Sequence, residues 1–175
     1  MRPLRRLLAR LGGTGDLPED FGGELANDEH VLAVAGSRDG AVVATHLGLW
    51  LPGPDGPRRV GWHLVSKATW NSGRLEVTEA EESGTAGDVV ILRDLPPRRF
   101  DLESPGRLPE VVHARVTGSI KSSHHRDLPG GGAWFVQRKV PGRDGIVLQV
   151  RADRGADEIA VAEFAEEVGR RLREA

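Results

Sequence analysis

"HVLAVAGSRDGAVVATHLGLWL", residues 30–51, decides what kind of protein this is. Two apolar runs flank Arg38-Asp39-Gly40. Glycine accepts a positive φ without a Cβ clash, so this is a strong β-hairpin signal. In the second run Ala41, Val43, Thr45, Leu47, Leu49 and Leu51 recur at period two and read as one strand face. The chain around this hairpin repeats the pattern. After the turn "PGPDGP" come "RRVGWHLVSKATW", Asn71-Ser72-Gly73, "RLEVTEA", a Gly/Ser/Thr loop and "DVVILRDL". Five short strands with turns at this spacing predict an antiparallel sheet that curls or packs on a partner.

The stretch "SPGRLPEVVHARVTGSI" breaks the β pattern. Leu108, Val111, Val112, Val116 and Ile120 fall at helical spacing and Pro109 suits a first turn, predicting an inserted helix at about 107–118. Strands over about 119–127, in "AWFVQRKV" and in "GIVLQVRA" follow, the last two joined by the turn at residues 141–145. The C-terminal stretch predicts a helix at about 156–174. Val161, Phe164, Ala165, Val168 and Leu172 form its apolar face, with acids first and Arg170, Arg171 and Arg173 last, as the helix dipole favours. At the other end, Leu4, Leu7, Leu8 and Leu11 with Arg2, Arg5, Arg6 and Arg10 predict a basic amphipathic helix over residues 1–12. Residues 13–29, rich in acids and glycine, read as a linker.

Composition narrows the chemistry. A chain of 175 residues holds one ordinary domain with a short appendage. The absence of cysteine removes disulfides, thiolate nucleophiles and sulfur-ligated zinc. A net charge of −2 does not favour nucleic acid, whose phosphates demand basic patches. No apolar stretch approaches a bilayer span and the N-terminus is a poor signal peptide, so the expected location is cytoplasmic.

"SSHHRDLPGGGAWF", residues 122–135, tests for an active site. On a strand, His124 and His125 point to opposite faces and cannot share one metal. The glycines precede another strand rather than a helix N-terminus, so they read as a hairpin loop rather than a phosphate cradle. No serine sits in a Gly-x-Ser-x-Gly elbow. Glu79 and Glu81 read as a solvated strand end, and Trp50, Trp62 and Trp70 as packing residues rather than a base-stacking platform. No catalytic, cofactor or metal residue is assigned.

"VLAVAGSRDGAVVATHLGLWLPGPDGPRRVGWHLVSKATW…RLEV" resembles the pleckstrin-homology-like domains of bacterial proteins, through the strand Ala44–Leu49 and the Val60-Gly61-Trp62 segment. The resemblance implies a bent antiparallel β-barrel closed by a C-terminal helix, in a mainly β, α+β protein. Applied to this chain, it places such a domain at 30–175, with about seven to eight strands and the inserted helix. It brings no catalytic residues. The expected function is therefore a non-enzymatic binding or scaffold module. Arg2, Leu4, Arg5, Leu7, Leu8, Arg10 and Leu11 are its contact with a protein partner or with the anionic inner face of the membrane. No cofactor, nucleic acid or small-molecule substrate is expected. The alternative is a small hydrolase-like enzyme with a dispersed site drawn from His63, His113, His124 and Asp127.

Overall fold

A computed structural model of the chain describes residues 16–175; the expected helix over residues 1–12 lies outside them. β1 (Val31–Ser37) and β2 (Gly40–Thr45) form the hairpin around Arg38-Asp39, with Ser37 opposite Gly40. The run after it does not continue as one strand. It folds back at His46-Leu47, and β3 (Gly48–Leu51) pairs antiparallel with β2. Thr45 Oγ1 accepts the N–H groups of Leu47 and Gly48 at 3.1 and 3.2 Å, a side-chain turn that competes with the extended ladder. Gly48 is required because a Cβ there would run into the Val60 carbonyl oxygen. The single strand face expected across residues 41–51 is thereby divided. Val43 packs with Phe21 and Trp50, whereas Leu49 and Leu51 enter the main core with Val42 and Ala44.

The next run divides as well. β4 (Arg58–Gly61) leads through a 3-10 turn (Trp62–Leu64) into β5 (Val65–Asn71). Ser72 and Gly73, at φ 50° and 80°, then turn the chain into the long β6 (Arg74–Ala86), as a two-residue hairpin with both central residues left-handed requires. β7 (Val89–Asp94) runs back along residues 80–86, and β8 (Arg98–Glu103) continues along residues 74–77 of the same edge. Together β6, β7 and β8 are one long hairpin, interrupted where Pro96 and Pro97 have no N–H to give the ladder. β8 was not expected. The prolines obscure a clean alternation in which Phe100 and Leu102 are buried between exposed polar neighbours.

The remaining elements are α1 (Leu108–Ser119), β9 (Ile120–Arg126), β10 (Ala133–Lys139), β11 (Ile146–Ala152) and α2 (Glu158–Glu174). The protein is mainly β, as expected, but the sheet is open and mixed, with eleven strands instead of seven to eight antiparallel ones. Two strands arise from the divided runs and one from β8. The mixed character comes from β11, which returns after the long α1–β10 excursion to lie parallel to β7.

Two cores result. The first joins β1–β5, β8 and the start of β6 to α1, with Trp62, Phe100 and Leu108 essentially excluded from solvent. The second lies under α2, where Val161 and Ala165 meet Val89, Ala133, Phe135 and Val150. The helix packed on the first strands is therefore α1, and the C-terminal helix covers β6, β7 and β11 instead. Asp157 caps it by accepting the N–H groups of Ile159 and Ala160. Of its expected face, Leu172 is 50% exposed, and the last turns bury Gly169 against Val89 instead.

The acidic segment before β1 is packed rather than bare. Phe21 meets Trp50 edge-on at 5.5 Å, with Leu17 and Leu25 on the same patch. Glu29 is buried, and its carboxylate accepts from Thr45 Oγ1, Trp50 Nε1, the Ala26 N–H and Arg59 at 2.6–3.0 Å. Burial alone would raise its pKa. The hydrogen bonds from Thr45, Trp50 and Ala26 and the Arg59 charge outweigh it and hold the carboxyl below its ordinary range.

Phe164 is half-buried, edge-on to Phe135 at 5.5 Å, whereas Phe100 is fully enclosed. In urea unfolding, Phe164→Ala is expected to cost about 2 kcal/mol, below the roughly 3–5 kcal/mol expected for Phe100→Ala.

Candidate functional site

Alternation along β10 divides its side chains between the lobes. Ala133 and Phe135 face α2, while Trp134, Val136 and Arg138 line the opposite face, toward the first lobe. Cross-strand register then sets His125 and Arg151 beside Trp134, and Ser123 and Gln149 beside Val136. This face meets the 3-10 turn and the start of β5.

Arg138 is the centre of the junction. It is 4% exposed and has no carboxylate partner among the described residues. Its NH1 and NH2 donate to the carbonyls of Val65 and Trp62, both at 2.9 Å. Nε and NH2 donate to Ser119 Oγ at 3.1 and 2.7 Å, and Ser119 in turn donates to the Val116 carbonyl. The guanidinium thus satisfies the turn's carbonyls and sits at the C-terminal end of α1, where the helix dipole favours a cation. Burial, with Arg151 nearby, pushes its pKa down to about 10, so it remains charged at neutral pH.

Two further side chains cross the junction. Gln149 donates to the His63 carbonyl at 2.8 Å, and Arg151 bonds Ser66 Oγ and pairs with Asp94 at 3.3 Å. Between the lobes they line a cavity of about 210 Å³. It adjoins, through Leu92, Trp134 and Arg151, a longer open groove of about 1010 Å³ along α2. Ile91, Ala162 and Ile159 give that groove an apolar wall, and Ile159 is left 72% exposed. Glu158, Glu163 and Glu166 project from α2 along it, with no ion-pair partner among the described residues.

The histidines and acids of the enzyme alternative are dispersed. His63 lies in the 3-10 turn; its Nδ1 is buried without a hydrogen-bond partner, and burial, then Arg138 and Arg143, hold its pKa below the ordinary value. His113 lies on α1 beside the exposed Trp70. His124 and His125 pair with Phe135 and Trp134, which face opposite sides of the sheet. His125 sets Nε2 2.7 Å from Asp153 and Nδ1 3.6 Å from the exposed Asp127. Among the described residues no three His, Asp or Glu side chains are placed to hold a metal, and no helix is long and apolar enough to cross a membrane. Trp50 and Trp62 are core residues as expected, but Trp70 is 39% exposed. Glu79 makes a two-pronged pair with Arg58, and Glu81 pairs with Arg93.

Sequence reasoning did not single out Arg138, Gln149, Arg151, Ser66, Trp134 or Ile159. One signal was present: Arg138 continues the face of Trp134 and Val136 at period two, a charge at a position the pattern assigns to packing. No protein-family model, no curated protein and no solved structure matches this chain.

Lysine at position 138 brings one point charge where the fork reaches three acceptors. Arg138→Lys is expected to lower stability by roughly 2–3 kcal/mol, with carbonyls left unpaired. Chemical unfolding followed by tryptophan fluorescence measures this. His63 gives a pH signature. With its folded pKa depressed, the unfolded chain binds the proton first. Stability is therefore full above about pH 6.5 and declines as pH falls from there toward the folded pKa. Urea midpoints between pH 7.5 and 5 are expected to fall in the native chain, and to fall less in His63→Leu.

Proposed function

We propose that the protein is a non-catalytic binding module that takes a basic, leucine-bearing segment of a protein partner into the groove along α2. The observation that carries this reading is the groove itself. It is long and open, its wall leaves Ile159 in water, and three glutamates run along its helical side, with Arg93, Arg151 and Arg154 on the strand and loop side. An amphipathic segment with apolar anchors and cationic flanks is the complement of such a surface. The pleckstrin-homology-like reading supports it by analogy. That analogy rests on the sequence resemblance of residues 31–77, whose β1–β5 and first half of β6 pack with α1. Arg2, Leu4, Arg5, Leu7, Leu8, Arg10 and Leu11 belong to the same reading as a second, basic contact toward a protein or an anionic lipid surface.

The hydrolase alternative has less support. His125 is the histidine with an orienting carboxylate, yet both of its ring nitrogens face acids, so neither is placed to take a proton from a nucleophile.

The test titrates a synthetic Arg/Leu amphipathic helix into the full chain, beside anionic and neutral vesicles. Saturable peptide binding is expected, weakened at least tenfold in the double variant Glu163→Lys, Glu166→Lys and weakened by salt. Absent peptide binding, with attachment to anionic vesicles that deletion of residues 1–12 abolishes, would replace the protein partner by a membrane surface.

A further inference from the structure

The cavity between the lobes is chemically divided, and its charge is not balanced from within. Arg138 and Arg151 both line it, yet among the described residues the one carboxylate paired with either is Asp94, on Arg151. One formal positive charge is left, on the buried Arg138, at the floor of a cleft whose rim of Ile120, Ser123 and Trp134 is open to water. Helix and carbonyl dipoles moderate that charge without neutralising it. Donor capacity is also left over. A guanidinium has five N–H groups, and Arg138 spends four of them on Trp62, Val65 and Ser119, so one hydrogen on NH1 has no acceptor. Ser123 Oγ, exposed at the rim on β9, makes no hydrogen bond to another described residue and is free to turn to a guest. The remaining wall is apolar, formed in the main by Leu92, Val136 and the indole of Trp134.

We propose that this cavity is a binding site for a small monocarboxylate with a compact apolar body, its carboxylate held by Arg138, Arg151 and Ser123 and its body against Trp134, Leu92 and Val136. A single negative charge matches the single uncompensated cation. Guanidinium groups match carboxylate geometry, and the apolar wall rewards a hydrocarbon or single-ring body over a bare inorganic ion. The volume of about 210 Å³ sets the scale of the guest as a short-chain or one-ring acid. Ser66 comes from β5 in the first lobe, and Leu92, Ser123, Trp134, Val136, Arg138 and Arg151 come from β7, β9, β10 and β11. Occupation raises the stability of the folded chain, since the unfolded chain has no such site. The cavity shares Leu92, Trp134 and Arg151 with the groove along α2, but the glutamates that carry the reading of that groove do not line it.

The test uses the full chain, with benzoate as probe, benzamide as its neutral isostere and inorganic phosphate as a bare anion. Thermal unfolding is read beside the indole N–H resonances, with Trp134→Phe identifying the Trp134 signal. Benzoate is expected to raise Tm saturably and to shift the Trp134 resonance, whereas benzamide and phosphate at the same concentration do neither. Arg151→Gln is expected to weaken benzoate at least tenfold. Val136→Phe, which fills the cavity from β10 and keeps every charge, is expected to abolish binding, and it serves alone if Arg151→Gln does not fold. The proposal is overturned if benzoate has no effect, if benzamide or phosphate matches it, or if its effect survives Val136→Phe.

Discussion

A guanidinium enclosed without a carboxylate is the constraint around which the two lobes are arranged. Desolvating Arg138 carries a large penalty, and a salt bridge is the usual means of offsetting it. Here the offset comes from oxygens that need donors anyway. The Trp62 carbonyl, which already accepts the Val65 N–H within the 3-10 turn, and the Val65 carbonyl each take a further donor in the interior, and Ser119 ends α1 with its hydroxyl turned inward. One side chain from β10 answers all three. The buried charge and the buried carbonyl oxygens offset part of each other's desolvation, but only while the lobes are together. The contact is therefore a condition for docking the C-terminal strands and not an ornament upon it.

The second constraint is covalent. β6 enters the first core at Arg74 and leaves in the second at Ala86, and β8 and β7 accompany it in succession. Because one strand belongs to both lobes, neither core can move far without breaking a ladder. Pro96 and Pro97 are tolerated because they fall at the handover between the cores. Leu95 supplies the last bridging bond there, to the Glu79 carbonyl. The same handover directs the sheet around the polar face that Arg138, Gln149 and Arg151 share.

Most of the charge near these constraints is committed to structure. Glu29 is held by four donors, Arg151 by Asp94, and His125 lies between two aspartates. Among the uncommitted groups are the glutamate flank of α2 with its exposed apolar neighbours, Arg154 across the groove from it, and one unit of positive charge between the lobes. Surfaces of those two kinds recognise ligands by complementarity and do not require a reacting group, which is why binding chemistry dominates the functional reading.

Local chemistry alone determined a good deal of this. The Asp39-Gly40 and Ser72-Gly73 turns, both helices, the hairpin after His125 and the mainly β class follow from turn residues, periodicity and capping, each acting within a few residues of chain. Tertiary structure decided the rest. The Thr45 side-chain turn divided one strand because burial beside Glu29 and Trp62 made it the better arrangement. The parallel return of β11 depends on a partner 59 residues earlier along the chain, as the pairing of Gln149 with Val90 shows. The candidate cavity was legible only as the unexpected charge of Arg138 in an apolar alternation. Its meaning depends on carbonyls some 70 residues away, at the end of a turn whose oxygens no pattern in the sequence shows to be in want of a further donor. Hydrophobic period and turn propensity are short-range quantities, whereas the satisfaction of buried polar groups is settled by whichever distant strand arrives to meet them.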